Sequence, residues 1–243
     1  MAIRLDKFLT KSYSNYSRNK LNQFVLAGQV LVNGQVETKP SYLVKDDDKV
    51  ELKVDENNIW VSRGAYKLLK ALEEFKINLN GKVCLDIGCS TGGFSQVMLK
   101  HGAKKIYALD VGTNQFDKTL LCDKVVLMEQ THFCKTNSSD FEHIDFIACD
   151  VSFISATKII EHVVKIFNYP FEFVCLIKPQ FELTKEILDK CKGSIPEKYH
   201  KQAIDKVCNC AKQCGLSIDK IIPSPILGAK SNNQEFLVYL RRA

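Results

Sequence analysis

The 243-residue chain reads as an α/β protein: an open, mostly parallel sheet flanked by helices and preceded by a small αβ module. Three observations give this class. From Lys82 onward, short apolar runs alternate with stretches of helical spacing, the order of βαβ units around a parallel sheet. The first of those runs, Val83-Cys84-Leu85-Asp86-Ile87, enters a glycine-rich turn and then the helical stretch Phe94–Leu99. Strand, glycine turn and helix is how open sheets make a ligand site at the carboxyl ends of their strands. The first 54 residues follow another pattern, two helices and an Asn-Gly hairpin, and read as a unit of their own.

Taken in order, Arg4-Leu5-Asp6-Lys7-Phe8-Leu9 opens the first helix, and Ser17–Gly28 gives a second, with Ser62 expected later as the cap of a third. Val30–Val36 is a strand running into Asn33-Gly34, the strongest short hairpin signal. Up to Lys39 the basic residues Arg4, Lys7, Lys11, Arg18, Lys20 and Lys39 face only Asp6 and Glu37; from Pro40 to Ser62 acids outnumber bases. The basic surface therefore belongs to the helices. The pattern Arg-Leu-Asp, Ser-Arg, Gly-x-Val-x-Val-Asn-Gly, Lys-Pro-Ser, Asp-x-Val resembles the alpha-L RNA-binding motif, shared by a small-subunit ribosomal protein and pseudouridine synthases. The resemblance implies that Arg4, Lys7, Lys11, Arg18 and Lys20 meet RNA phosphates.

Lys45–Asn58 is charged and suits a linker, so the expected domains are 1–54, a linker at 55–62, and 63–243. The next helix puts Ala65, Leu68, Leu69, Leu72 and Phe75 on one face and Lys67 on the opposite one. Strands are expected at 83–87, 106–110, 125–128, 144–149, 171–177 and 235–240, with helices near 156–167 and 197–213.

Gly88, Gly92 and Gly93 lack the spacing of a dinucleotide fingerprint. The acid-x-Gly-x-Ser-x-Gly-Gly pattern from Asp86 resembles instead the S-adenosylmethionine loop of class I, Rossmann-like methyltransferases. Asp110, ending the second strand, has the place of a ribose acceptor. Asp150 directly follows the fourth strand and Lys178 the fifth, so both lie on the edge that carries the glycine turn. Glu235 opens the last strand and joins that edge only if the strand is antiparallel, which is what the class I resemblance implies.

Ser62-Arg63-Gly64-Ala65-Tyr66-Lys67-Leu68, Cys149-Asp150-Val151-Ser152-Phe153, Ile177-Lys178-Pro179-Gln180-Phe181-Glu182 and Asn233-x-Glu235 together resemble the TlyA family of ribosomal RNA 2′-O-methyltransferases, over nearly the whole chain. The resemblance implies a catalytic set of Lys67, Asp150, Lys178 and Glu235. It also implies cofactor contacts from Asp86, Gly88, Ser90, Gly92, Gly93, Phe94, Asp110 and Val111. Asn58 stands where the family has an arginine, and Thr131-His132 replaces a Thr-Asn pair; Thr131 and His132 are kept as candidates on the adenine side. Because the first helix begins at Arg4 and the chain runs three residues past its last strand, it resembles the short members, which modify large-subunit RNA at cytidine.

A ribose 2′-hydroxyl ionises far above neutrality, so methyl transfer needs proton removal and stabilisation of oxygen charge. Lys178 could take the proton, or both lysines could stay charged and stabilise the oxyanion. The residues leave both open. The net charge of +6 favours a polyanionic partner, here ribosomal RNA or a ribosomal subunit. Ten cysteines raise the question of metal, but Cys208-x-Cys210-x3-Cys214 has no second pair, so no metal is expected, and the thiols suit a cytoplasmic protein. No signal peptide or apolar run of about 18 residues points to secretion or a membrane. A monomer is expected away from the ribosome. The rival classes are a nicotinamide-dependent oxidoreductase, disfavoured by the glycine spacing, and a pore-forming cytolysin.

Overall fold

The computed structural model describes residues 2–14, 16–26, 28–53, 59–191, 193–228 and 231–243. The chain divides into two compact units, Met1–Trp60 and Val61–Ala243. Positions 54–58, including Asn58 and much of the expected linker, lie outside the described residues.

The first unit runs β1 (Ile3–Arg4), α1 (Leu5–Ser12), α2 (Arg18–Leu26), β2 (Val30–Val32), β3 (Gln35–Val36), β4 (Leu43–Val44) and β5 (Val50–Leu52). Arg4 is the extended cap residue of α1 and not part of the helix. Asn33 and Gly34, at φ 52° and 80°, close the β2–β3 hairpin as a turn with both central residues left-handed, as the dipeptide predicts. Strand β5 pairs with the other edge of β2. Leu5, Leu9, Leu21, Phe24, Val25, Val30, Val32 and Val44 make a core that belongs to this unit alone.

The second unit holds α3 (Ala65–Phe75), β6 (Val83–Ile87), α4 (Gly93–Lys100), β7 (Lys105–Leu109), β8 (Val125–Met128), β9 (Phe146–Cys149), α5 (Ala156–Ile166), β10 (Phe171–Ile177), α6 (Pro179–Glu182), α7 (Lys185–Cys191), α8 (His200–Gln213), β11 (Ser217–Pro223) and β12 (Phe236–Arg242). Its seven strands are ordered β11-β12-β10-β9-β6-β7-β8. All neighbours from β10 to β8 are parallel, whereas β12 runs antiparallel to both β10 and β11. Phe236 pairs with Ile177, which brings Glu235 to the edge where Lys178 leaves β10.

All five residues of β6 are buried, the signature of a parallel strand covered on both faces. Alternation then decides which layer each side chain enters. Leu85 and Ile87 join the large cluster with α5 and α8, including Ile160, Val207 and Ala211. Asp86 faces the other way, towards α4.

Several elements differ from the sequence reading, including the unanticipated short helices α6 and α7. Strand β11 was not anticipated. It is an edge strand with a bulge between Ile218 and Lys220, and Asp219 and Lys220 interrupt its apolar alternation. On α3 the buried residues are Ala65, Lys67, Leu68, Ala71 and Leu72, so Lys67 lies on the packed side, not opposite it. Ser62 makes no side-chain cap; Gly64 holds the cap position, and the Ser62 carbonyl accepts the Ala65 N–H at 3.3 Å.

Candidate active site

A cleft of about 630 Å³ opens at the carboxyl edge of the seven-stranded sheet. Its floor holds four charged side chains from four separate segments. Lys67 Nζ, from the first turn of α3, donates to Asp150 Oδ2 at 2.9 Å and to Glu235 Oε2 at 2.7 Å. Asp150 Oδ1 pairs in turn with Lys178 Nζ at 2.6 Å, and Lys178 also donates to Ser152 Oγ at 3.1 Å. The result is one continuous chain: Glu235, Lys67, Asp150, Lys178, Ser152.

Lys67, Lys178 and Glu235 are each less than a tenth exposed. Burial by itself would push the Lys67 ammonium towards neutrality, but the carboxylates of Asp150 and Glu235 outweigh it and hold Lys67 above the ordinary lysine value. Burial likewise works to raise Asp150, and the Lys67 and Lys178 charges overcome it, holding the carboxyl below its ordinary value. Lys67 is thus a fixed cation clamped between two acids.

The glycine turn forms the adjoining wall, and Gly88, Ser90, Gly93 and Phe94 all line the cleft. Gly88 is left-handed at φ 85°, and a side chain there would lie 3.1 Å from the Asp150 carbonyl oxygen. This glycine lets the turn lie against the Asp150 strand end, the close backbone approach a small ligand in a cradle requires. Gly92, by contrast, faces away: a Cβ would meet Phe116 and Leu120 at 2.8 and 2.6 Å, so its work is packing the turn.

Asp86 does not line the cleft. It is fully buried beneath the turn, accepts the Ser95 hydroxyl at 2.6 Å, and is pushed up to about 7 by burial against the opposing pull of that bond. Its Oδ1 has no hydrogen-bond partner among the described residues. Asp110 braces the turn from the neighbouring strand, accepting the Ser90 N–H at 2.8 Å and the Gly112 N–H at 2.7 Å on its two oxygens. Val111 beyond it is two-thirds exposed, and the Thr131 N–H donates to the Asp110 carbonyl at 2.9 Å. His132 is committed elsewhere: its Nδ1 accepts the Cys134 N–H at 3.2 Å and caps the short turn Phe133–Lys135.

In the first unit, Arg4 and Arg18 converge on buried Asp6, at 3.1 and 2.6 Å. The Arg4 hydrogen bond, helped by Arg18 and opposed by burial, lowers Asp6 to about 2. Lys7 and Lys11 are exposed on α1. Lys20 differs from expectation: it is half-buried, its ammonium bonds the Trp60 carbonyl, and it lies 5.6 Å from the Phe24 ring centre.

Several cleft residues were not singled out from sequence. Phe153 is 84% exposed, left-handed at φ 66°, and packs 5.4 Å from the Phe181 ring at the cleft wall. A large aromatic in the motif directly after β9 was the available signal. Ser152, Gln180, Gly228 and Ser231 also line the cleft; the first two lie in the quoted motifs without being singled out there, and nothing in type or spacing marks the other two.

Two family models match the chain: an S4 domain over residues 3–50 and an FtsJ-like methyltransferase over residues 60–242. Among curated relatives, Hemolysin A of Brachyspira hyodysenteriae is 43% identical, covering 95% of this chain and 96% of that protein. The 23S rRNA (cytidine-2′-O)-methyltransferase TlyA of Campylobacter jejuni is 35% identical, covering 98% of this chain and all of that one. A solved structure of a hemolysin-named protein from Streptococcus thermophilus superposes with a TM-score of 0.74 at 36% identity, over the whole of this chain and 89% of the other.

Proposed function

The chain belongs to the TlyA group of FtsJ-like methyltransferases and carries an S4 domain at its N-terminus; from that premise we propose that it methylates the ribose 2′-hydroxyl of a cytidine in ribosomal RNA. The observation that carries this reading is the unbroken chain from Glu235 through Lys67 and Asp150 to Lys178 on the floor of a cleft beside a glycine turn.

The residues fit S-adenosylmethionine: Gly88 keeps the turn close against the Asp150 strand end, Ser90, Gly93 and Phe94 line the cleft beside it, and Asp110 stiffens the loop. When bound, that cofactor supplies an activated methyl on a sulfonium. The protein then has three tasks. Lys178 takes the 2′-hydroxyl proton as an amine or faces the developing oxyanion as a cation. Asp150 holds both lysines at a set separation. Lys67, locked by two carboxylates, gives the floor a positive charge that cannot swing away from the reaction.

The S4 domain supports an RNA partner, with Arg4 and Arg18 aimed by Asp6 and Lys7 and Lys11 free to meet phosphates. Large-subunit RNA is the substrate favoured here, as in the Campylobacter relative's name. The protein acts as a monomer in the cytoplasm, without a metal, and the functional boundary between its RNA-binding and catalytic parts falls at 55–62. Among the described residues no helix is long and apolar enough to cross a membrane.

Ribose methylation mapped along ribosomal RNA from cells with and without the protein tests the proposal. One cytidine should lose its methyl group in the deletion and regain it on incubation with the purified protein and S-adenosylmethionine. An unchanged methylation map together with leakage of dye from protein-treated liposomes would favour the cytolysin reading suggested by the hemolysin name.

A further inference from the structure

The two lysines of the cleft floor have unlike partners. Lys67 Nζ lies between two carboxylates. Lys178 Nζ has one carboxylate oxygen, Asp150 Oδ1 at 2.6 Å, and one hydroxyl, Ser152 Oγ at 3.1 Å. An amine nitrogen is tetrahedral, so its bond to Cε, the ion pair with Asp150 and the hydrogen bond to Ser152 together restrict its remaining direction. The Asp150 contact alone would leave the nitrogen free to pivot about that line.

The loop that presents Ser152 is held on its C-terminal side. Phe153, the next residue, is left-handed at φ 66°, a conformation a bulky side chain adopts only where the surroundings enforce it. Further on, Glu182, only 4% exposed, accepts the Ser155 hydroxyl at 2.5 Å and the Ala156 N–H at 2.7 Å. Lys206 holds the same carboxylate at 3.2 Å. Glu182 lies four residues after Lys178, so one buried carboxylate joins the Lys178 segment to the Ser152 loop.

We propose that Ser152 is a positioning residue: its hydroxyl, with Asp150, aims the remaining position of Lys178 Nζ at the ribose 2′-hydroxyl. The proposal rests on the ribose-methyltransferase reading of the site. In the step it serves, the O2′–H bond breaks and its proton passes to the Nζ lone pair. The O2′–CH3 bond forms as the sulfonium S–CH3 bond breaks, and that electron pair stays on sulfur. Ser152 gains and loses no atom.

The test is a double-mutant cycle of Ser152→Ala and Lys178→Ala, read by single-turnover methyl transfer to ribosomal RNA. Ser152→Ala should slow transfer about 10- to 100-fold, the scale of a small misplacement of a reacting group. RNA affinity and S-adenosylmethionine affinity should stay at wild-type values, and Ser152→Thr should recover most of the rate. In the Lys178→Ala background the serine change should alter the rate less than about 2-fold, because residues that act as a unit are not additive. A second readout needs no turnover: in ¹⁵N-lysine-labelled full-length protein, the Lys178 side-chain resonance, assigned with Lys178→Arg, should shift and broaden in Ser152→Ala. Additive rates, a loss confined to RNA affinity, or an unmoved Lys178 resonance overturns the positioning role while the activity stands. A wild-type protein that transfers no methyl to RNA ribose overturns the functional reading and the proposal together.

Discussion

At the scale of single residues, charge sign alone misleads at both functional regions. Asp6 is an acid on a surface expected to bind a polyanion, and simple electrostatics says that removing it should tighten RNA binding. Its position under Arg4 and Arg18 says the opposite, since it holds both guanidiniums in place. Asp6→Ala should therefore weaken RNA affinity, measured by filter binding at fixed salt; tighter binding would show that the arginines need no anchor. The same carboxyl gives a pH signature. Its folded value of about 2 lies below the unfolded value near 3.9. Its stabilisation is therefore complete above about pH 4 and is lost as pH falls through 2. The melting-temperature gap between wild type and Asp6→Asn should close over that window. At the cleft floor, Lys178→Ala should slow transfer by roughly 10²–10⁴, the range for a lost proton acceptor. Cofactor affinity should stay near wild type, because Lys178 leaves β10, two strands from the glycine turn after β6. Lys67→Met should instead damage the fold as well as the rate, because Asp150 and Glu235 lose the cation between them. Thermal melts alongside the rates separate the two lysines.

At the scale of elements, the glycine turn and α4 form one mechanical piece. Gly92 is left-handed at φ 90° with Phe116 and Leu120 closed over it. Gly92→Ala should cost about 1–3 kcal/mol of stability, visible as a lower urea midpoint, before any effect on cofactor binding is counted. An unchanged midpoint would mean that the neighbouring side chains yield freely. The legibility of elements followed how closely local pattern tracked burial. Val83–Ile87 and Phe171–Ile177 announced themselves because a strand covered on both faces is a near-continuous apolar run, broken here only by Asp86 and Glu172. Strand β11 hid because an edge strand with a bulge has neither alternation nor a run. On α3, Lys67 defeated the periodicity: a buried lysine counts as polar in any helical pattern, and only Asp150 and Glu235, distant in sequence, make its burial tolerable. The strand-end rule placed Asp150, Lys178 and Glu235 on one edge from sequence, whereas the Ser152 contact depends on a loop conformation that no pattern encodes.

At the scale of the whole molecule, the two units keep separate cores. Removal of residues 1–60 should leave calorimetric affinity for S-adenosylmethionine nearly unchanged and greatly weaken RNA binding. Lys7→Ala and Lys11→Ala in the full chain should each lower the slope of log affinity against log salt by about 1. An unchanged slope would place the phosphates elsewhere.

The order of the sheet has a consequence for the newborn chain. Strand β12 follows all its partners in sequence yet lies between β10 and β11, and Glu235 sits at its start. Until that segment has left the ribosomal exit tunnel, β11 has no neighbour to pair with and Lys67 lacks one of its two acids. Translation thus withholds a working cleft from the growing polypeptide. Arrested nascent chains stopped before residue 235 should stay protease-sensitive along 217–223, and extension past the tunnel should protect that segment in a single step.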